Sequence, residues 1–309
     1  MYEYIYRESL KRAKQKIWIL SDLQQANPDY AKECLDISMK DYELLGQPAD
    51  MIWYLGDSVE GRVLSHLEEM CTMQEEAFSK TGLPLCYTMG NHDLDYMQQE
   101  SQIGAKPLIP FYETVKNHDG WYTTSSYTNL YYKMQVGAFM VYFFCDHVAE
   151  DKEWWTTHGR VHGNAEAYPY HDEYKKIREE IAAEKFPVIT VSHYAYLGGN
   201  REAILQSKLL PLPENVKIHF YGHAHIGDYA WAKENAYRRI SWVDWHDIPQ
   251  INVSSFEHIR GKSCRSVFLH IYEDNSFGIF FRNHNEHVFS EVYMPAKGNY
   301  SANTEMFDE

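Results

Sequence analysis

The strongest constraint on this chain is what stands at the ends of its apolar runs. Ile17-Trp18-Ile19-Leu20 stops at Ser21-Asp22, Met51 to Leu55 stops at Gly56-Asp57, and Leu83 to Met89 stops at Gly90-Asn91-His92-Asp93. Pro187 to Ser192 delivers His193, and Val216 to Tyr221 ends at Gly222-His223-Ala224-His225. Short apolar runs bounded by Gly, Asp and Asn read as strands buried on both faces, as in parallel or mixed sheets covered by helices. In open α/β sheets ligand sites assemble at the strand ends. One His or Asp at such a point is a turn cap or a satisfied core residue. Five strand ends carrying them together make a site.

Helical patterns alternate with these runs. Leu35, Met39 and Tyr42 fall at i, i+4 and i+7, and Tyr174, Ile177 and Ile181 mark another apolar face. Ser65 followed by Glu68 predicts a capping box for a helix whose Leu67, Met70, Cys71, Ala77 and Phe78 share a side. Tyr131 to Lys133 and Ala138 to Cys145 suggest an antiparallel pair around Gly137. Gln250 to Ser254, Ser266 to Tyr272, Phe277 to Arg282 and His287 to Tyr293 make the last third β-rich. The alternation argues for a layered α/β or αββα architecture. Residues 1–297 read as one domain with irregular insertions near 94–130 and 147–170, followed by a frayed tail over 298–309.

Composition closes several alternatives. Among 309 residues, 29 Lys and Arg against 44 Asp and Glu leave a formal charge of −15, whereas a nucleic-acid binder needs a surplus of positive charge to neutralise phosphates. The longest apolar run, Ala138 to Cys145, is far shorter than the ~20 residues of a membrane helix, so no membrane span is expected. The opening MYEYIYRESLKRAKQKIWIL lacks the apolar segment of a secretory signal, which favours a cytoplasmic location. The five cysteines are scattered and odd in number, and read as reduced core thiols rather than as a disulfide or thiolate site.

Carboxylate, amide carbonyl and imidazole together suit Mn, Fe or Zn, and the lack of paired cysteines argues against a closed structural zinc site. With Asp22-Leu23-Gln24, Gly56-Asp57, Gly90-Asn91-His92-Asp93, His193 and Gly222-His223-Ala224-His225 in that order, the chain resembles the calcineurin-like metallophosphoesterases. The resemblance implies a four-layer αββα sandwich of two mixed β-sheets. It implies a centre of two divalent transition-metal ions, Mn, Fe or Zn. Asp22 and His225 would bind the first ion, Asn91, His193 and His223 the second, and Asp57 both. It further implies hydrolysis of a phosphomonoester or phosphodiester by a metal-activated hydroxide. His92 would be the proton donor or leaving-group stabiliser, with Asp93 orienting its ring.

Gln24 departs from the pattern, since many members carry a His there. An amide oxygen is a weaker, neutral donor, so Gln24 reads as tuning the first metal or as holding a water or the substrate. Arg62 is a candidate for a bidentate phosphate contact. Trp121, Tyr122, Trp154 and Trp155 are candidates to stack on a nucleobase or sugar, or to pin their loops. Asp146 reads as a turn cap, and Gly198-Gly199-Asn200 as a turn. The negative charge favours a small or exposed phosphate ester over long nucleic acid. Two readings compete. A catalytically weak scaffold on the same fold should have lost His92 or Asp57, and a single-metal structural site would need Gln24 to mean that the first metal is absent. The sequence carries no sign of oligomeric state.

Overall fold

A computed structural model of the chain describes residues 1–61, 63–93, 110–126, 129–145, 171–196, 209–227, 234, 237–243, 248–258 and 262–294. Helix α1 (Tyr2–Arg12) precedes β1 (Gln15–Leu20), and α2 (Pro28–Leu44) leads to β2 (Met51–Tyr54). Then come α3 (Leu67–Ser79), β3 (Leu85–Tyr87), α4 (Pro110–Asn117) and β4 (Trp121–Tyr122). The hairpin β5 (Tyr131–Val136) and β6 (Phe139–Phe144) is followed by α5 (His171–Ala183), β7 (Val188–Ser192) and β8 (Val216–Tyr221). The chain closes with β9 (Ile240–Val243), β10 (Ile248–Asn252), β11 (Arg265–Ile271), β12 (Phe277–Asn283) and β13 (Val288–Tyr293).

The strands form a seven-stranded sheet, ordered β13-β12-β11-β1-β2-β3-β4, and a six-stranded sheet, ordered β5-β6-β7-β8-β10-β9. Both are mixed: β1 pairs parallel with β2 and antiparallel with β11, while β8 pairs parallel with β7 and β10. Alternation along each strand splits its side chains between two cores. Ile17 and Ile19 meet Trp53, Phe143, Val191 and Phe220 between the sheets. Trp18 and Leu20 point the other way, toward Tyr6, Leu35, Tyr42 and Phe78 on the helices. On the far side, Tyr142, Phe144 and Val188 pack against Tyr174, Ile177 and Ile181 of α5. The result is the expected four-layer αββα sandwich. Trp18 illustrates how closely it is packed: its ring stacks on Tyr42 at 4.5 Å between centroids, 6° from parallel.

Local chemistry sets the helix ends that aim the chain at the site. Asn27 Oδ1 accepts the Asp29 N–H at 2.9 Å and Pro28 opens α2, a cap that starts the helix immediately after the first motif. The expected Ser65 capping box does not form. A 3-10 turn, Leu64–His66, already holds Ser65 in helical backbone, so α3 begins without a side-chain cap and relies on Glu68 and Glu69 in its first turn. Two elements appear inside the stretch read as irregular near 94–130. Eight-residue α4 buries Phe111, Tyr112 and Val115, and β4 extends the seven-stranded sheet by two residues. Both are too short for a periodicity argument to detect. The 147–170 segment and the 298–309 tail lie outside the described residues. No helix among those described is long and apolar enough to cross a membrane.

Candidate metal centre

The chain leaving β1, β2 and β3 of one sheet meets the chain leaving β7 and β8 of the other. Backbone bonds join these ends: the Asp22 N–H donates to Gly56 O at 3.0 Å, the Gln24 N–H to Asp57 O at 3.0 Å, and the Gly222 N–H to His193 O at 3.2 Å. Four candidate ligands sit in left-handed backbone, with φ of 60° at Asp22, 51° at Asp57, 63° at His223 and 46° at His225. Such a conformation costs a non-glycine residue roughly 1–3 kcal/mol and concentrates where function over-determines the backbone. Here it turns the side chain back into the cleft immediately after the strand ends. The motif glycines answer to the same crowding. A Cβ on Gly90 would land on the Asp57 carboxylate, and one on Gly222 would strike the Ser21 hydroxyl and reach to 2.8 Å from Asp22 Oδ2.

Two of the three imidazoles, His193 and His225, are oriented by their second nitrogen. His193 Nδ1 donates to Leu55 O at 2.7 Å, which leaves Nε2 facing Asp57 Oδ2 at 3.1 Å. His225 Nδ1 faces Glu257 Oε1 at 3.2 Å, which leaves Nε2 against Asp22 Oδ1 at 3.2 Å. His223 turns Nδ1 toward His193 Nε2 at 3.3 Å, and its backbone N–H donates to both Asp22 oxygens, at 2.9 and 3.1 Å. A hydrogen bond at one ring nitrogen that frees the other inward is the usual arrangement behind metal-binding histidines. Burial alone would raise the Asp57 carboxyl, but His193 and His92 outweigh it and hold the group well below the usual carboxylate range. Burial likewise disfavours a charged His193, and Asp57 overrides it, pushing the imidazole up to about 10.

The donors fall into two groups that share one carboxylate. Asp57, His193 and His223 bring one ligand atom each within 4.8 Å of one another, and so do Asp22, Asp57 and His225. All five residues are buried. Two carboxylates enclosed with three imidazoles could hold a cation at each place. The donor set, oxygen and imidazole with no thiolate, suits Mn, Fe or Zn. Asn91 lies beside the second group, its Oδ1 accepting the Tyr194 hydroxyl at 3.1 Å. Gln24 is buried beside the first, its backbone tied to Asp57.

His92 stands at the edge of this cluster, its N–H donated to Asp57 Oδ1 at 2.7 Å and its ring Nδ1 3.1 Å from Glu60 Oε1. The expected partner, Asp93, does something else. Its carboxylate accepts the backbone N–H groups of Asp57 (2.8 Å), Gly90 (2.8 Å) and Ser58 (2.9 Å) and the Ser58 hydroxyl (2.5 Å). Asp93 therefore clamps the loop after β2 to the turn after β3, and no hydrogen bond or ion pair joins it to the His92 ring. Burial and the neighbouring Asp57 charge raise its pKa. Glu60 faces the His92 ring instead, and Glu257, held in turn by Gln25 Nε2 at 2.7 Å, faces the His225 ring. Sequence reasoning passed over both. Glu60 shares the strand-end loop with Asp57, and Glu257 follows β10, so the rule that found the ligands reaches them too.

Among the other candidates, Trp121 is buried and stacks on His118 at 3.9 Å, which pins β4 rather than presenting an aromatic face, while Tyr122 is half exposed. Arg62, Asp146, Trp154, Trp155 and Gly198-Gly199-Asn200 lie outside the described residues.

Comparison with known proteins agrees with the fold. In overall structure the chain is similar to a dimetal phosphatase from Danio rerio, with a TM-score of 0.58 at 11% identity, covering 88% of this chain and 96% of that one. It is also similar to a purple acid phosphatase from yellow lupin seeds, with a TM-score of 0.54 at 12% identity, covering 90% of this chain and 53% of that one. A Haemophilus influenzae NAD nucleotidase matches with a TM-score of 0.50 at 9% identity over 96% of this chain and 54% of that one. These likenesses are of fold. No curated protein matches by sequence. The calcineurin-like phosphoesterase profile matches residues 15–227, from the start of β1 to just past His225. That span holds every candidate ligand on both sheets, and the chain belongs to the calcineurin-like phosphoesterase family, whose members hydrolyse phosphoric esters with divalent metal ions.

Proposed function

We propose that this chain hydrolyses a small or exposed phosphomonoester or phosphodiester at a centre of two divalent ions, Mn, Fe or Zn. The observation that carries the proposal is the pair of buried donor groups sharing Asp57, since one carboxylate with two oxygens can serve ions about 3.5–4 Å apart. Asp22 and His225, with Gln24 as a weak neutral donor, would hold the first ion, and Asn91, His193 and His223 the second. When bound, the ions supply an activated water and neutralise charge at the phosphoryl group.

The chain's own groups do the remaining work. Glu60 accepts at His92 Nδ1, so His92 can carry a transferable proton on Nε2 and give it to the leaving-group oxygen. Asp57 keeps the His92 backbone in place, so donor and carboxylate move as one unit. Asp93 holds the two loops that carry them. The net charge of −15 repels polyanions at long range, which supports a small substrate or an exposed ester. All five cysteines are free and buried, which supports the cytoplasmic reading.

The test compares turnover of an aryl phosphate monoester and diester by metal-free protein reloaded with Mn, Fe or Zn, alongside metal analysis. Metal-dependent turnover with close to two ions per chain supports the proposal. No turnover with any ion, despite two bound, assigns the chain to the scaffold reading. Binding of a single ion refutes the paired centre.

A further inference from the structure

The cysteines hold a second constellation. Cys34 on α2 and Cys264 at the entry to β11 are both fully buried, and they converge on His258 from the loop after β10. Their sulfurs lie 3.1 and 3.9 Å from His258 Nδ1, and all three donor atoms fall within 4.8 Å of one another. A tetrahedral zinc ion with Zn–S of about 2.3 Å and Zn–N of about 2.0–2.1 Å separates sulfur from nitrogen by about 3.6 Å. The two observed separations straddle that value. His258 Nε2, the nitrogen turned away from the sulfurs, faces Glu33 Oε2 at 3.8 Å. That separation is an ion-pair distance and not a hydrogen bond, so Glu33 adds only charge behind the ring. One turn beyond Cys34, the fully buried Ser38 hydroxyl has no other hydrogen-bond partner among the described residues and lies beside the Cys264 sulfur. Backbone bonds fix the Cys264 end: its N–H donates to Asn285 Oδ1 at 2.6 Å, and its carbonyl accepts the His284 N–H at 2.9 Å.

We propose that Cys34, His258 and Cys264 form a separate site for a soft borderline cation, Zn2+ by donor chemistry. Two thiols and an imidazole disfavour the hard ions that carboxylates prefer. Binding would release the thiol protons to solvent and leave two thiolates and one neutral imidazole on the ion. Three protein ligands leave a fourth position, and His258, the one ligand of the three that is not fully buried, places it toward water. The ion would staple α2 to the start of β11. It would also fix the residue next to Glu257, which holds His225 in the phosphoesterase centre.

The test reconstitutes the metal-free, reduced full chain under anaerobic conditions with Co2+ as the probe. A thiolate-to-cobalt charge-transfer band in the near ultraviolet is expected, arising from one ion per chain and removed by added Zn2+. The oxygen and nitrogen donors around Asp57 cannot produce that band, so Asp57→Asn should leave it at full height. Cys34→Ser and Cys264→Ser should each abolish it. His258→Ala alters a partly exposed residue and keeps the test decisive if the cysteine variants fail to fold. It should weaken Co2+ binding by more than Glu33→Gln does, since the Glu33 carboxylate stands 3.8 Å from the ring and is half exposed. The proposal is overturned by the absence of the band or by unchanged affinity in His258→Ala.

Discussion

Glu257→Gln tests whether a group with no ligand role sets the affinity of one metal position and not the other. Glu257 is fully buried, with Oε1 3.2 Å from His225 Nδ1 and Oε2 2.7 Å from Gln25 Nε2. The substitution keeps the shape, and Gln25 can turn its amide over to suit the new partner, so what is removed is charge. A hydrogen bond to an ionised group contributes about 1.5–3 kcal/mol and a neutral one about 0.5–1.5 kcal/mol. The difference at the His225 bond is therefore about 1–1.5 kcal/mol, or about 5–15-fold in affinity at the Asp22 and His225 position, at the low end of the 10–100-fold usual for outer-shell partners. The assay is a Mn2+ titration against a competing chelator. Mn2+ is the right probe because thiols bind it poorly, which keeps Cys34 and Cys264 out of the count. One of two binding steps should weaken by that factor while the other stays within about twofold, and thermal stability should change little. Equal weakening of both steps would mean that Glu257 only stiffens the cleft, and no weakening would mean that it does not orient His225. Either result refutes the reasoning.

Other perturbations separate the remaining roles. His92→Ala should keep both metals and lower kcat by the roughly 10²–10⁴-fold of general acid catalysis, with Glu60→Gln losing a smaller part of the same factor; loss of metal in either variant would place these residues in the ligand set instead. Gly90→Ala drives a Cβ onto the Asp57 carboxylate, so metal analysis should find both positions depleted together, and full occupancy would show that the two loops can part. Asp41 is buried and takes four bonds of 2.7–2.8 Å from Arg282, His284 and His287. Against burial, which raises its pKa, these partners hold it well below the usual carboxylate range. A depressed folded value means stability that is fully present above the unfolded pKa of about 3.9 and lost as pH falls through the folded one. Asp41→Asn should cost about 3–5 kcal/mol at neutral pH. The gap between the melting curves of the two proteins should begin to narrow near pH 4 and go on narrowing as pH falls further, and a gap independent of pH would refute the charge argument.

What the sequence disclosed follows from what each kind of residue must do. Buried strands are written as unbroken apolar runs, so β1, β2, β7 and β8 were legible, and the candidate ligands stood out because they interrupt those runs. Short elements were not. β4 is two residues long and α4 has eight, both below the length at which periodicity can be distinguished from chance, while β9 is as long as β2 but lies at a sheet edge and buries only its two end residues. Helix α1 was hidden by its charged face, although Tyr6 and Ser9 on its inner side are buried. Asp93 was misassigned because adjacency in sequence suggested adjacency of side chains. Three backbone N–H groups from two loops claim that carboxylate, and no reading of the motif alone shows them. The five cysteines are free and buried, as read from the sequence, but the convergence of two of them was not legible. Cys34 and Cys264 are 230 positions apart with His258 close to the second, so no ligand spacing exists along the chain, and only the packing of α2 against the start of β11 brings them together.

The same geometry explains why the motifs pair glycine with ligands. A strand that simply ended in an Asp would let its side chain continue toward solvent. The left-handed backbone at Asp22, Asp57, His223 and His225 reverses that direction, at roughly 1–3 kcal/mol for each residue. Four such residues together cost a sum comparable with the net stability of a whole domain, about 5–15 kcal/mol, so the strain must be offset locally. Some of the offset is visible in the bonds from the Asp22 N–H to Gly56 O, from the Gln24 N–H to Asp57 O and from the His223 N–H to the Asp22 carboxylate. These bonds cross between loops, and they form only because Gly90 and Gly222 carry no Cβ to hold the loops apart. Glycine and ligand are thus two halves of one requirement. That is why a lone Gly-Asp pair carries little information, while several pairs that must interlock in space specify a site.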